Sequence, residues 1–392
     1  ACSEAPFNEK FRLALETANP GDIIEVPEGI HSFKRSLVLN TDGVTIRGAG
    51  INRSILSFKG QITGAEGLSV NASDFVIEDL AIEDTIGDAL KVNEGNNIII
   101  RRVRTEWTNG PDVKNGAYGI YPVQTSQTLV EESVAIGASD AGIYIGQSQQ
   151  VIVRNCRAEF NVAGIEIENS TRADVYGNNV HRNTGGILVF DLPDLAVKEG
   201  RQVRIFDNII KDNNLDNFAP EGNIVGKVPS GTGIMVMATE MVEVFENTII
   251  DNKTAGTAIV SYFITEEETK DSQYNPYTSS IYIHDNIYRR TPQIPTLDHD
   301  IGLLLFFHFF RDIPDIIYDG MPDPIHIGKN GLIPNSRRLC ISDNVDAKYL
   351  NLGLSKNFQS WYSPFFADFN TDANECNCTQ DPLPEVVLKI DH

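Results

Sequence analysis

A short alternation of apolar and polar residues recurs every 22 residues in the centre of the chain, between residues 141 and 191. Each copy opens with a Gly-Ile pair, and successive copies place the glycine at Gly142, Gly164 and Gly186. Alternation over about six residues predicts a β-strand, and the Gly and Asn residues between copies predict turns. A strand-and-turn unit with this period predicts a parallel β-helix, an all-β solenoid in which each copy forms one rung.

The alternation also predicts an inner and an outer face for the strands, because successive side chains of a strand point to opposite sides. The inner stack is expected to contain Ile120, Ile143, Ile165, Ile187 and Ile234. The outer face is expected to carry a first column of Lys91, Tyr121, Tyr144, Glu166, Leu188 and Met235, and a second column of Asn93, Val123, Gly146, Glu168, Phe190 and Met237.

This outer column is unusual because aromatic, acidic and apolar residues follow one another instead of a solvated mixture. An exposed stripe of this kind indicates either a covering loop or a ligand. For the apolar end we expect a cover, and the insertion Leu215–Ser230 is the candidate segment. A second ladder, of Cys156, Asn178, Asn208, Asn247 and Asn286, is expected to be structural, with its amides satisfying buried turns.

Composition limits the possible partners. The chain has 392 residues, 41% of them hydrophobic, and a formal net charge of −22. Nucleic acid is excluded as a partner because it requires a basic surface, and an acidic polymer would need a local basic patch or bound cations. The longest apolar run, Gly302–Phe310, is too short for a transmembrane segment.

Three regions are expected along the chain. Residues 1–20 should contain an N-terminal segment and an amphipathic helix, Phe7–Ala18, that caps the solenoid. Residues 21–310 should form the β-helix, and residues 311–392 an irregular segment packed on it. Asp140 and Asn161 are expected to close turns that precede strands.

Three of the five cysteines lie near the end of the chain, and this clustering predicts a disulfide there. We expect a disulfide from Cys340 to either Cys376 or Cys378. Cys156 should be a buried free thiol. Cys2 follows Ala1 as in a lipoprotein signal, so a lipid anchor there and a periplasmic, outer-membrane or extracellular location are expected, with ordinary signal cleavage or truncation as the alternatives.

The opening rungs resemble a known superfamily. The words Gly21-Asp22-Ile23-Ile24, Pro27-Glu28-Gly29 and Val44-Thr45-Ile46-Arg47-Gly48 resemble the start of pectin-lyase-like right-handed β-helix proteins. That superfamily contains polysaccharide lyases, hydrolases and uronate C5-epimerases, so the resemblance implies a right-handed solenoid and a polysaccharide partner. The rungs from residue 118 to residue 247 look like a bacterial family of parallel β-helix repeat proteins without an assigned activity.

The epimerase motif of that superfamily is not preserved here. Its Asp-Pro-His-Asp word would fall on Tyr121, Pro122, Val123 and Gln124, of which only the proline matches. Asp298-His299-Asp300 resembles the word but is expected in an irregular loop. An epimerase activity is therefore not expected from these residues.

The first functional hypothesis is a polysaccharide lyase that acts by β-elimination on a uronate-containing glycan. Its catalytic residues would be Tyr121, Tyr144 and Lys91. Substrate-binding residues would be Gln124, Gln147, Phe190 and His299, and a calcium ion would be bound by Glu166, Glu168 and Asn169.

Two alternatives remain. One is a non-catalytic β-helix that binds a glycan or a protein through the Tyr, Glu, Phe and Met face. The other is a periplasmic metal-delivery scaffold with Met235 and Met237 as soft ligands. A cation within reach of Tyr121, Tyr144 and Glu166 would favour the lyase over binding alone.

Overall fold

The structure is a computed structural model that describes residues 6–354 and 369–390. Two α-helices are described in full, α1 (Phe7–Glu16) and α2 (Asp300–Phe309), and the other helical segments so described are short 3-10 turns. The first fifteen strands are β1 (Ile23–Val26), β2 (Gly29–Ser32), β3 (Arg35–Leu39), β4 (Thr45–Gly48), β5 (Ser54–Ser57), β6 (Thr63–Val70), β7 (Phe75–Glu83), β8 (Leu90–Asn93), β9 (Asn96–Glu106), β10 (Tyr118–Val123), β11 (Ser126–Glu131), β12 (Val134–Ile136), β13 (Ala141–Gly146), β14 (Gln149–Arg154) and β15 (Arg157–Glu159). The others are β16 (Ala163–Glu168), β17 (Thr171–Tyr176), β18 (Asn179–His181), β19 (Gly185–Phe190), β20 (Arg201–Phe206), β21 (Ile209–Lys211), β22 (Thr232–Met237), β23 (Glu240–Phe245), β24 (Thr248–Ile250), β25 (Ala255–Val260), β26 (Ser279–His284), β27 (Ile287–Arg289), β28 (Ile316–Tyr318), β29 (Leu339–Ser342) and β30 (Tyr349–Asn351).

These strands form two sheets, and every ladder between named strands is parallel. The first sheet has 11 strands in the order β3, β6, β8, β10, β13, β16, β19, β22, β25, β28, β30. The second has 19 strands, in two runs that share the long strands β7 and β9. Each strand pairs with the equivalent strand one rung away, as a parallel β-helix requires. The predicted fold class is confirmed.

The inner isoleucines form the predicted stack. Ile143 pairs in register with Ile120 on one side and Ile165 on the other, and the series continues through Ile187 to Ile234. All five side chains are fully buried. Burial of an isoleucine stabilises the fold by about 1.5–3 kcal/mol relative to exposure. The repetition along the axis therefore produces one continuous core.

Two asparagine ladders stabilise the corners of the solenoid. In the predicted one, the amide of Asn178 donates 3.1 Å to the Val153 carbonyl and 2.9 Å to Asn208, and the pattern continues through Asn247 to Asn286. Cys156 lies at the start of this ladder as a buried free thiol. A second ladder, which the sequence reading missed, joins Asn161, Asn183, Asn213 and Asn252.

The second ladder explains the repeated glycine. A Cβ atom placed on Gly142 would lie 2.6 Å from the Asn161 amide nitrogen, and one on Gly164 would lie 2.9 Å from that of Asn183. Such distances are too short for any side chain, so the Gly of each Gly-Ile pair leaves room for the asparagine of the next rung. Asn161 is therefore a buried ladder residue in addition to a turn residue.

The two ends of the solenoid are closed differently. At the N-terminus, α1 packs Phe11 and Leu15 into the core, and the Phe11 ring lies 5.9 Å from that of Phe33. The predicted capping helix is confirmed. At the C-terminus the solenoid is longer than expected, because β28, β29 and β30 extend both sheets beyond residue 310.

The last residues run back along the second sheet. A disulfide joins Cys340 to Cys378, one of the two expected pairings, and Cys376 is free and buried. Beyond it, the main-chain nitrogen of Val386 donates a 3.1 Å hydrogen bond to Asp174, which keeps the tail on the sheet surface. Cys2 lies outside the described residues. Across the described ranges, no helix has the length and apolar character needed to cross a membrane.

Candidate functional site

The outer face of the first sheet is exposed to solvent near the N-terminal end of the solenoid and becomes buried in the later rungs. Its central column passes in register from Val38 through Ser69, Lys91 and Tyr121 to Tyr144. Val38 is 42% exposed, whereas Tyr144 is only 4% exposed. Lys91 and Tyr121 are half-buried, so they lie at the boundary between the open part and the covered part.

The apolar end of the face is covered, as expected. Val225 and Val228 of the insertion join one apolar cluster with Leu188 and Phe190. The same cluster includes residues of α2, which the sequence reading did not predict as a helix. Phe190 is 1% exposed and was expected to bind substrate; this geometry leaves it no access to a ligand. Met235 and Met237 are likewise buried and present no soft metal ligands at the surface.

A second loop, residues 191–200, covers the edge of the face. The Asn169 amide nitrogen lies 2.9 Å from the carbonyl oxygens of Leu192 and Val197, and its oxygen accepts a hydrogen bond from the Leu192 nitrogen. The Gln147 oxygen accepts from the Val197 nitrogen at 3.1 Å. Both side chains therefore hold this loop in place.

Between the two covers lies a cluster of buried acids. Asp140, Glu166 and Glu168 are all less than 10% exposed, with Glu166 at 1%. The Tyr144 hydroxyl donates a 2.5 Å hydrogen bond to Glu168, while Glu166 Oε2 has no hydrogen-bond partner among the described residues. Burial, aided by neighbouring carboxylates, raises the pKa of Asp140 to about 7 and that of Glu166 well above its ordinary value.

These residues do not fit a calcium ion. Both polar atoms of Asn169 are committed to the loop, and Tyr144 occupies one oxygen of Glu168. The raised pKa of each carboxyl favours its neutral form, which is a poor calcium ligand. In the described parts of the chain, no three His, Cys, Asp or Glu side chains are grouped so that they could hold a metal ion.

The accessible chemistry is at the open boundary, around Lys91. The Lys91 ammonium lies 5.1 Å from the centre of the Tyr121 ring. The Tyr118 ring contacts those of Tyr121 and Tyr144, each at 4.4 Å between centres. Asp88 accepts a 3.3 Å hydrogen bond from the Tyr118 main-chain nitrogen. A cation, a carboxyl and the rings of two tyrosines are thus neighbours at one half-buried place.

The ionisation of this cluster suits proton transfer. Burial raises the pKa of Asp88 to about 6, with the Lys91 charge acting in the opposite direction. Burial also raises the pKa of Tyr121 to about 12, so its hydroxyl stays protonated near neutral pH. A carboxyl that ionises near pH 6 beside a protonated phenol provides a base and an acid at the same place.

The other predicted site residues lie apart from this cluster. Gln124 is exposed just past the end of β10. His299 precedes α2, and the charged groups that influence its pKa are Asp298, Asp300 and Lys227, none of which is in the Lys91 cluster. The sequence reading missed Asp88 and Tyr118 as site residues. Asp88 lies three residues before Lys91, and Tyr118 lies three residues before Tyr121. This equal distance from two neighbours in the central column is the feature of the sequence that could have identified both residues.

Comparison with known proteins supports the fold. Residues 36–197 match a family model described as a right handed beta helix region. No curated protein sequence matches the chain. Among solved structures, the A-module of the Azotobacter vinelandii mannuronan C-5 epimerase AlgE4 is similar over 87% of this chain and 91% of its own, with 16% identity and a TM-score of 0.51.

Two further structures resemble the chain. The N-terminal fragment of gene product 12 from bacteriophage Phi29 matches over 87% of this chain and 60% of its own, with 12% identity and a TM-score of 0.53. Pectate lyase Pel9A matches over 72% and 70%, with 13% identity and a TM-score of 0.46. At these identities the likeness extends to the fold alone. The resemblance to right-handed β-helix proteins is confirmed at that level, and residues 36–197 form a right-handed β-helix region.

Proposed function

We propose that the protein binds a uronate-containing polysaccharide at the open boundary of the first sheet and cleaves it by β-elimination. The observation that carries this proposal is the position of Lys91, whose ammonium lies 5.1 Å from the Tyr121 ring centre beside Asp88. In a chain of net charge −22, a cation at an accessible aromatic site is a specific place for an anionic sugar. A cation close to Tyr121 favours a lyase over binding alone, and Lys91 lies at that position.

Each residue of the cluster has a role in the reaction. Lys91 pairs with the uronate carboxylate and thereby acidifies the proton on C5. The Asp88 carboxylate removes that proton, and the electron pair forms the C4–C5 double bond while the bond from C4 to the glycosidic oxygen breaks. The Tyr121 hydroxyl gives its proton to the leaving oxygen. Ring faces at Tyr118 and Tyr121 provide apolar surface for the sugar.

The alternatives are less well supported by the geometry. Binding of a protein through the Tyr, Glu, Phe and Met face would require that face to be open, and its Phe and Met end is covered. Glycan binding without cleavage uses the same Lys91 cluster, so it is an outcome of the test below. An exported location is part of the proposal, because the Cys340–Cys378 disulfide favours an oxidising compartment.

The test is the ultraviolet absorbance of the protein mixed with a panel of uronate polymers, since elimination creates an absorbing unsaturated end. The rate should rise with pH through about 6 as Asp88 ionises, and it should be the same with calcium and with a chelator. The substitution Lys91→Met should lower the rate about 100-fold. Lys211→Met, on β21 of the second sheet, is the matched control and should leave the rate unchanged.

Two results would change the proposal. A flat trace on every polymer, together with binding measured by calorimetry, would reduce the function to glycan binding. A flat trace without binding would overturn a carbohydrate function at this site. Proton NMR of the polymers belongs in the same experiment, because epimerisation would change the sugar spectrum without any absorbance.

A further inference from the structure

We infer that the glycan-binding face is blind-ended, so that the protein holds a polysaccharide by one chain end. This inference rests on the proposed function, because it concerns the same surface. Two loops cover the face on one side of the Lys91 cluster. On the other side the face is exposed to solvent.

The closed side begins one rung after Tyr121. The insertion between β21 and β22 reaches the first sheet there, where the Asn223 amide donates 2.9 Å to Asp140. The 191–200 loop closes the neighbouring edge through its 3.1 Å hydrogen bond to Gln147. Exposure consequently falls to 4% at Tyr144 and to 1% at Glu166. A sugar placed on Tyr121 has no continuation in this direction.

The open side carries a row of amides along the preceding rungs. Asn93 donates 3.5 Å to Asn71, and Asn71 donates 2.9 Å to Asn40, so the three side chains form a ladder on the surface. Asn40 and Asn71 are exposed, unlike the asparagines of the two corner ladders. Each amide has two N–H donors and an oxygen that accepts two hydrogen bonds, and the ladder uses only some of them. The remaining donors and acceptors at the surface can form hydrogen bonds with the hydroxyl groups of a sugar.

The dimensions suit a short stretch of glycan. Adjacent rungs are about 4.8 Å apart, so the strands β3, β6, β8 and β10 span roughly 14 Å along the axis. Lys91 lies near the closed end of this span and Asn40 at the far end. The terminal uronate would pair with Lys91, and the units that follow would lie beside Asn71 and Asn40.

A blind end limits how many protein molecules one chain can bind. If the terminal unit must occupy the Lys91 cluster, one chain end accepts one protein whatever the chain length. An open groove would accept a number of proteins that grows with length. Stoichiometry therefore separates the two arrangements independently of affinity.

The experiment is calorimetric titration of Asp88→Asn protein, which cannot remove the C5 proton, with oligouronates of defined length and with a polymer of known mean length. We expect one protein per chain throughout, and an affinity that rises over the first few units and then stays constant. A stoichiometry that grows with chain length would overturn the blind end while leaving the proposed function intact. No binding to any oligomer or polymer would overturn the proposed function itself.

Two substitutions test the amide row. Asn71→Ala should weaken oligouronate binding about 5-fold, as expected for one hydrogen bond. Asn179→Ala removes an exposed amide from β18 on the second sheet and should leave the affinity unchanged. Equal affinities for the two variants would exclude the amide row as part of the binding surface.

Discussion

The Asn223 amide donates a 2.9 Å hydrogen bond to Asp140, although the two residues are 83 positions apart in the chain. Asp140 precedes β13, and Asn223 belongs to the insertion between β21 and β22. The pair therefore attaches the cover to the rung at which the open face ends. This hydrogen bond favours the ionised form of Asp140, against burial and the Glu168 charge, which raise its pKa to about 7.

The substitution Asp140→Asn should stabilise the protein at pH 8 and have no effect near pH 4. A carboxyl whose pKa is higher in the folded than in the unfolded protein binds its proton more tightly when folded. Its contribution to stability is therefore lost as pH rises from about 4 to about 7. At pH 8 the neutral amide should raise the free energy of unfolding by up to about 4 kcal/mol.

Urea unfolding at pH 4, 6 and 8, followed by circular dichroism, measures this difference. Asp207→Asn is the control, because Asp207 is an exposed turn residue. A loss of stability on Asp140→Asn at pH 8 would contradict the interpretation and show that the cover depends on the charge of Asp140.

The solenoid could be predicted from the sequence because its signals are local and repeated. The period of the Gly-Ile pairs gave the register, and the alternation gave the direction of each side chain. Repetition was least visible at the second asparagine ladder. Its members are separated by 22, 30 and 39 residues, as are the first four members of the predicted ladder, so spacing does not explain the difference. The missed asparagines follow the three-residue strands β15, β18, β21 and β24, which are too short to show an alternation.

The candidate site was predictable only in part. Alternation correctly placed Tyr144, Glu166 and Phe190 on the outer face, but alternation does not say what packs over that face. Their burial comes from segments far away in the chain, such as the insertion that contributes Val225. Lys91 and Tyr121 were identified because they lie in the uninterrupted column, whereas Asp88 was missed because it lies in the turn before its strand.

The buried asparagines should be essential to stability. The Asn208 amide donates 2.9 Å to the carbonyls of Val175 and Phe206, and its oxygen accepts a hydrogen bond from Asn178. Asn208→Ala leaves these groups buried without partners and should cost at least about 2 kcal/mol. Urea unfolding beside Asn179→Ala, at an exposed position, provides the comparison. Equal losses for the two variants would exclude a special role of the ladder.

The disulfide should stabilise the C-terminal part of the solenoid. Cys340 and Cys378 are 38 residues apart, and closing a loop of this size contributes about 3–4 kcal/mol by restricting the unfolded chain. Cys378→Ser should lower the free energy of unfolding by that amount, whereas Cys376→Ser should keep the bond. Peptide mapping without reduction checks the pairing, and a link from Cys340 to Cys376 would contradict it.

The two neighbouring tyrosines of the outer column should differ in what their hydroxyl groups do. Tyr144 is buried and donates to Glu168 at 2.5 Å, so Tyr144→Phe leaves a buried carboxyl without its donor and should cost about 1–3 kcal/mol of stability. Tyr121 is half-buried at the open boundary, so Tyr121→Phe should abolish elimination with little change in stability.

Unfolding free energies and elimination rates of both variants decide this assignment. The expected pattern is a stability loss for Tyr144→Phe and a rate loss for Tyr121→Phe. The reverse pattern would place the proton donor one rung further into the covered end, and the boundary of the reactive site would then lie at Glu168 instead of Lys91. Because both substitutions remove one oxygen from the same column, their difference reports only what surrounds each hydroxyl.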